Sequence, residues 1–276
     1  MKAFHFALLA ASFALTACQL DSSVNADNGK IANLSYEKTE FQRAGGSLCP
    51  GTANVTPDNA HCATVKITYP KVSSVDSPPV AAAFNRFIQE QLVEYSDENE
   101  KQPASLDELA AMFLKDFQDD PETTGMWELE RSIDVVGGTP QFVTLLFSEN
   151  GYTGGAHPFS GQRYFVLDTH TGKQLTLADL LSSGYEKTLN VIGEKAFRAA
   201  RELSPTTNLT DEGFWFENNE FKLNTNFGIT KNGLTFLFNP YEVAPYALGS
   251  TEFTIPYSAM QNLIPANSPL ASVATP

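Results

Sequence analysis

The 276-residue sequence predicts an α+β fold with mostly antiparallel sheets, and three observations carry that prediction. Runs of period two and runs of period 3.6 come in clusters instead of alternating strictly, which is the pattern of α+β chains and not of doubly wound ones. Glycine-bearing turns, Gly137-Gly138 and Lys231-Asn232-Gly233, join neighbouring strand-like runs into hairpins. Apolar residues make up 42% of the chain, enough to fill a core. No linker is evident near residue 150, so the expectation is two closely packed α+β halves, residues 40–150 and 151–265.

The elements follow in order. Residues 19–34 (QLDSSVNADNGKIANL) are polar and without period, and the segment 18–39 reads as a tether. Ala63–Tyr69 alternates at period two and reads as a strand that Pro70 ends. Ser77-Pro78-Pro79 opens a helix, with serine as N-cap and proline in the first turn. Val80, Phe84, Phe87, Ile88, Leu92 and Tyr95 share its apolar face. Ser105-x-x-Glu108 is a capping box for a second helix with Leu106, Leu109, Ala110, Phe113 and Phe117 inward. Trp127–Val135 alternates, and Gly137-Gly138 turns it into Phe142–Phe147. The stretch GYTGGAHPFSG at 151–161 leads to a strand at Arg163–Leu167, followed by the turn Thr171-Gly172-Lys173. Thr176-x-x-Asp179 caps a short helical turn, and Tyr185, Leu189, Ile192, Ala196, Ala200 and Leu203 mark a longer helix. Strands are expected at Leu223–Thr230, Leu234–Phe238 and Glu252–Ile255, with a short helix from Pro256 to Leu263. Residues 266–276 read as a loose tail.

The first twenty residues, MKAFHFALLAASFALTACQL, set the compartment. Lys2 precedes an apolar run from Ala3 to Ala17, too short for a permanent transmembrane helix and laid out like a secretory signal, residues 1–17. Leu15-Thr16-Ala17-Cys18 resembles the lipobox of bacterial lipoproteins, which implies cleavage before Cys18 and acylation of its sulfur and of the new amine. Several acyl chains anchor stably where one is marginal. An ordinary signal peptide with a chance cysteine is the alternative. Gln19 after the cysteine points to the outer membrane in a Gram-negative source. The expected location is the cell envelope, with the membrane as partner through Cys18. Outside the cytoplasm, Cys49 and Cys62 read as a disulfide, which by the loop-entropy account contributes about 3 kcal/mol.

The formal net charge is −14, and removal of Lys2 with the signal makes the body one unit more negative. Such a surface argues against nucleic acid and anionic lipid as partners, and it steers a basic one.

Residues 151–161 hold four glycines, Tyr152, His157 and Pro158, so their chemistry is the main question. A phosphate loop needs Gly-x-x-x-x-Gly-Lys-Ser/Thr between strand and helix, and this stretch runs through Pro158 into another strand. His-Glu-x-x-His and Gly-x-Ser-x-Gly are absent from the sequence. The spacing of His61, His157 and His170 suggests no metal, and no cofactor motif appears. Carboxylates are abundant but cannot be paired by sequence. On the residues alone, the stretch is either a glycine-permitted turn that His157 braces by hydrogen bonds, or a recognition loop.

Taken together the motifs have a family likeness. Tyr152-x-Gly154-Gly155-Ala156-His157-Pro158, then Thr171-Gly172-Lys173-x-Leu175-x-Leu177-x-Asp179-Leu180, then Gly233-Leu234-x-Phe236-x-Phe238-Asn239-x-Tyr241-Glu242-x-Ala244-Pro245-Tyr246-Ala247-x-Gly249, resemble the extracytoplasmic domain of RsiV-like anti-sigma factors over roughly residues 40–264. A related module of unknown function accompanies some peptidoglycan deacetylases. The resemblance implies two α+β halves, the C-terminal one similar to a subdomain of the Hsp70 ATPase without its nucleotide site. It also implies a non-catalytic binding role, with lysozyme or another basic protein, or peptidoglycan, as partner. No transmembrane helix, sigma-binding segment or deacetylase domain is read in the sequence, so the expectation is the binding module alone on a lipid anchor. The candidate surface joins Tyr152, Gly154, Gly155, His157 and Pro158 to Pro240, Tyr241, Pro245 and Tyr246. The rival expectation is a hydrolase using His157 with nearby carboxylates. A third is a structural factor for envelope assembly.

Overall fold

The computed structural model describes residues 28–31, 34–49, 60–74, 77–95, 102–120 and 125–274. Cys18, the signal and most of the expected tether lie outside the described residues.

The fold is α+β. A six-stranded sheet runs in chain order, β1 (Asn28–Ile31), β2 (Leu34–Leu48), β3 (His61–Ser73), β4 (Met126–Gly138), β5 (Phe142–Tyr152) and β6 (Phe159–Asp168). All neighbours are antiparallel except β3 and β4, which are parallel and joined by a crossover through α1 (Pro78–Leu92) and α2 (Leu106–Asp119). A second, three-stranded antiparallel sheet holds β7 (Phe227–Thr230), β8 (Gly233–Phe238) and β9 (Thr251–Pro256). Three further helices are α3 (Leu177–Leu180), α4 (Tyr185–Ala200) and α5 (Tyr257–Met260).

Period two in β5 sorts its side chains into two cores. Val143, Leu145 and Phe147 join the helix-covered core with Phe84, Ile88, Leu109 and Phe113. Phe142, on the opposite face, joins the second core with Ile229, Phe236 and Phe197 of α4. The first sheet therefore lies between the α1–α2 layer and the second sheet, with α4 packed on β9 beyond. Gly228 makes the sheet–sheet approach close, because a Cβ there would come 2.6 Å from the Tyr164 ring. Across the same interface Thr144 donates to the Ile229 carbonyl at 2.9 Å.

Both first helices start as their sequences predict, with one difference. Ser105 accepts from the Glu108 N–H at 3.2 Å, whereas Ser77 makes no side-chain cap and leaves the start to Pro78-Pro79. Glu108 returns its carboxylate to the Ala104 N–H, one residue earlier than a capping box requires. At the start of α3 the Asp179 carboxylate accepts from the Thr176 N–H at 2.8 Å and from its hydroxyl at 2.7 Å, while the Asp179 N–H donates to the Thr176 carbonyl.

Several expectations are corrected. β2 starts at Leu34, inside the expected tether. It escapes pattern reading because most of its residues are exposed on both faces. Pro70 does not end β3. Beyond Thr68 that strand no longer pairs with β4, so a missing N–H removes nothing from the β4 ladder. Gly137 and Gly138 belong to β4 at a register shift, and the turn is Thr139-Pro140-Gln141. β7 begins at Phe227, not Leu223. The division expected at residue 150 falls inside β5, and the first sheet runs on to Asp168. The expected loose tail is docked through residue 274. Leu270 is buried in the second core, and the Ser268 hydroxyl donates to the Leu180 carbonyl at 2.7 Å. Cys49 and Cys62 are bonded, with Cα atoms 4.8 Å apart, at the end of the β2–β3 ribbon.

Candidate functional site

Two connections far apart in sequence meet at one end of the molecule. The first is the tip of the β5–β6 hairpin, Thr153–Pro158. The second is Asn239–Ser250, between β8 and β9. What joins them is the open edge of β6, whose unpaired backbone needs partners. Two asparagines supply them. Asn239 accepts from the Gln162 N–H at 2.8 Å and donates to the Gln162 carbonyl at 3.0 Å. Asn226 accepts from the Tyr164 N–H at 2.8 Å and donates to the same carbonyl at 2.9 Å. Side-chain amides thus occupy the place of a seventh strand, and Asn239 fixes where its own loop begins.

The loop is then bent tightly. Glu242 accepts from the Asn239 N–H at 2.9 Å and from the Asn224 amide at 2.7 Å. The Tyr241 N–H donates to the Ala244 carbonyl, and Tyr241 takes φ = 66°. A non-glycine residue in the left-handed region costs energy, and such positions cluster at functional sites. Tyr241 is also 58% exposed.

These constraints bring His157, Tyr241 and Tyr246 together. The rings of His157 and Tyr246 stack at 4.1 Å with an 18° interplanar angle. Tyr241 lies 6.3 Å from His157 and 5.7 Å from Tyr246. His157 Nδ1 is 2.8 Å from the Pro158 carbonyl, which can only accept, so in the neutral ring the proton sits on Nδ1. Nε2 is left to accept from the Tyr241 hydroxyl at 3.2 Å. The Tyr246 hydroxyl donates to the Pro158 carbonyl at 3.2 Å. His157 therefore links the two connections.

The remaining expected residues have different places. Tyr152 is half-buried at the end of β5, opposite Glu128 in the ladder, and is not part of the stack. Gly154 takes φ = 82° in the hairpin tip, a conformation that favours glycine. Gly155 has no such conformation, and a Cβ there would meet nothing within 4 Å. Pro245 is exposed and opens the 3-10 turn Tyr246–Leu248, and Pro240 is half-buried beside Asn239.

Sequence reading missed Trp215. It is 48% exposed, and its indole N–H donates to the Glu242 carbonyl at 3.3 Å, against the same loop. The signal was present: Phe214 and Phe216 are buried, so a period-two reading of Phe-Trp-Phe turns the tryptophan outward. Among the described residues, no group of three or more His, Cys, Asp or Glu converges where it could hold a metal ion. None of the described helices is long and apolar enough to cross a membrane.

Residues 178–258 match the family model described as "Protein of unknown function (DUF3298)", and residues 57–160 match the one described as "Deacetylase PdaC". Among curated proteins, the chain is 25% identical over 174 residues to the peptidoglycan-N-acetylmuramic acid deacetylase PdaC of Bacillus subtilis (strain 168). That match takes in 60% of this chain but 37% of the deacetylase. Among solved structures, it is similar to a DUF3298 family protein of Pseudomonas aeruginosa PAO1, with TM-score 0.60 and 22% identity, over 83% of this chain and 95% of the other. A DUF3298 family member from Bacteroides fragilis NCTC 9343 aligns with TM-score 0.58 and 21% identity, over 87% and 97%. The chain thus has the fold of DUF3298 structures.

Proposed function

We propose that this chain is a non-catalytic binding module of the bacterial cell envelope, anchored through acylated Cys18. It recognises a protein or cell-wall ligand, with lysozyme-type basic proteins as first candidate. One observation carries the reading: the exposed His157–Tyr246–Tyr241 stack, assembled from two connections and held in place by Asn239 and Glu242. Rigid exposed aromatic rings give contact area at low entropic cost. The net charge of −14 favours encounter with a basic partner. The matches to DUF3298 and to a peptidoglycan deacetylase support an accessory role at the cell wall, and the motif resemblance to RsiV-like anti-sigma factors makes lysozyme the first ligand to test.

Calorimetric titration with lysozyme and with soluble peptidoglycan fragments tests this. The expected result is saturable binding that weakens as salt rises, because the steering charges are exposed. Turnover of a wall substrate that His157→Ala abolishes in a folded protein would move the reading to a hydrolase. The anchor has its own test: Cys18→Ser should release the protein from membranes and end acyl labelling, and continued membrane association to the same extent would refute it.

A further inference from the structure

A second site stands beside the stack. The α1–α2 layer runs out before the sheet does, because α1 ends at Leu92 while β4, β5 and β6 continue. The exposed end of that sheet face forms a cleft of about 450 Å³ with Phe113, Leu129 and Phe147 at its floor and Phe159 and Thr153 at its rim.

Two arginines line the cleft, and they differ. Arg131 is buried and engages all three of its guanidinium nitrogens with the protein. Nε and Nη2 reach Glu149 at 2.6 and 2.5 Å, and Nη1 donates to the Leu92 carbonyl at 2.5 Å, closing the C-terminus of α1. Arg163 lies over the Phe147 ring at 5.1 Å and gives one nitrogen, Nη2, to Oε2 of Glu94 at 2.5 Å. Its side chain is 39% exposed and that of Glu94 is 56% exposed. Among the described residues, Nε, Nη1 and the second oxygen of Glu94 have no hydrogen bond, and the second N–H of Nη2 shares an edge with one of those two nitrogens, so a two-donor edge and an acceptor stand side by side above an apolar floor.

We propose that this cleft binds a zwitterionic α-amino-acid head carried on an aliphatic chain. The carboxylate takes the remaining donors of Arg163, the ammonium takes Glu94, and the aliphatic part lies toward Phe147 and Leu129. Charge selects this class. Arg131, Arg163, Glu94 and Glu149 sum to zero, and the chain as a whole stands at −14. A plain anion would enter against that field, and a plain cation would compete for Glu94 with nothing for Arg163. A zwitterion leaves the balance intact, and a guanidinium recognises a carboxylate through paired N–H donors. The same head occurs on free amino acids and on the diamino acids of cell-wall peptides.

The test is calorimetry and ligand-observed NMR on the full-length chain with norleucine, N-acetylnorleucine, norleucinamide and a tripeptide ending in meso-diaminopimelic acid. Norleucine should bind, and each blocked derivative should bind at least about tenfold more weakly, since each loses one charge-assisted contact. Arg163→Gln and Glu94→Gln should each cost a similar factor, and Arg163→Lys should not restore the paired contact. Glu94 is on the surface, so that variant keeps its fold even where Arg163→Gln loosens the packing on Phe147. Tighter binding of the tripeptide than of norleucine assigns the site to wall peptides, and equal binding assigns it to free amino acids. Equal binding of the blocked derivatives, or none by any zwitterion at millimolar concentration, overturns the proposal. Tyr241→Ala should leave norleucine binding unchanged, which separates this site from the stack.

Discussion

The chain holds two aromatic clusters built on opposite principles. One surrounds Phe197 of α4, which is fully buried and meets Phe214, Phe216, Phe238 and Phe253 edge-on, at 5.0 to 5.9 Å and 78° to 89°. These rings carry no polar group, come from four separate segments, and fill the space between α4 and the second sheet. The other is the His157–Tyr246–Tyr241 stack. Its rings all carry polar atoms and lie on connections, with His157 and Tyr241 exposed and Tyr246 half-buried. The first cluster removes apolar area from water and thereby stabilises the fold. The second leaves an exposed ring, Tyr241, in a left-handed backbone conformation that contributes nothing to the core. Buried rings without hydroxyls account for stability here, and the costly exposed rings call for another explanation, which recognition provides.

The largest expected effect falls on the first cluster. Phe197→Ala should cost about 3–5 kcal/mol in chemical denaturation, the range for a fully buried phenylalanine. A loss below about 1 kcal/mol would show that the ring cluster is not the centre of the second core.

Tyr241→Ala should do the reverse. Removing an exposed ring and relieving a left-handed tyrosine should leave stability within about 1 kcal/mol, while ligand affinity falls by about 1–3 kcal/mol. Asn239→Ala lies between the two. It strips two hydrogen bonds from the β6 edge and should cost about 1–2 kcal/mol of stability. It should weaken binding as well, because the loop start is no longer fixed.

The smallest effect depends on pH. Burial pushes the Tyr257 hydroxyl up to about 12, and the neutral hydroxyl donates to the Thr230 carbonyl at 2.6 Å. Burial and a hydrogen bond to Glu252 push Tyr164 upward too. A raised folded value means that the contribution of Tyr257 is complete below its ordinary value near 10 and is lost as pH rises through about 12. Stability measured across that alkaline window should decline less steeply in Tyr257→Phe than in the wild type. An unchanged slope would show that this hydroxyl is not linked to folding.

Much of the frame of the other core, the one covered by α1 and α2, was legible in the sequence. The apolar faces of α1 and α2, the alternation in β4 and the caps at Ser105 and Thr176 are local signals. Phe197 itself was passed over, because the helix read equally well through Ile192 and Ala196, and only tertiary packing picks the face. The stack was legible as a pair of segments, since tyrosine, proline and glycine concentrate in both. Its geometry was not. Tyr152 is one of the candidate surface residues, but strand pairing holds it in β5. The residues that join the segments are Asn226 and Asn239, whose side chains act as strand backbone, and no sequence period announces that. β2 was missed for a related reason: a ribbon exposed on both faces has no alternation to read.

The central claim is that the exposed stack binds and the buried cluster stabilises. The most direct measurement is titration of wild type and Tyr241→Ala with lysozyme and with peptidoglycan fragments at low salt, alongside a thermal melt of each. The account predicts that at least one ligand binds the wild type and binds the variant about 5- to 150-fold more weakly, with melting curves that nearly coincide. Equal affinity in both proteins, or a loss of affinity matched by a collapse of the melt, would contradict it.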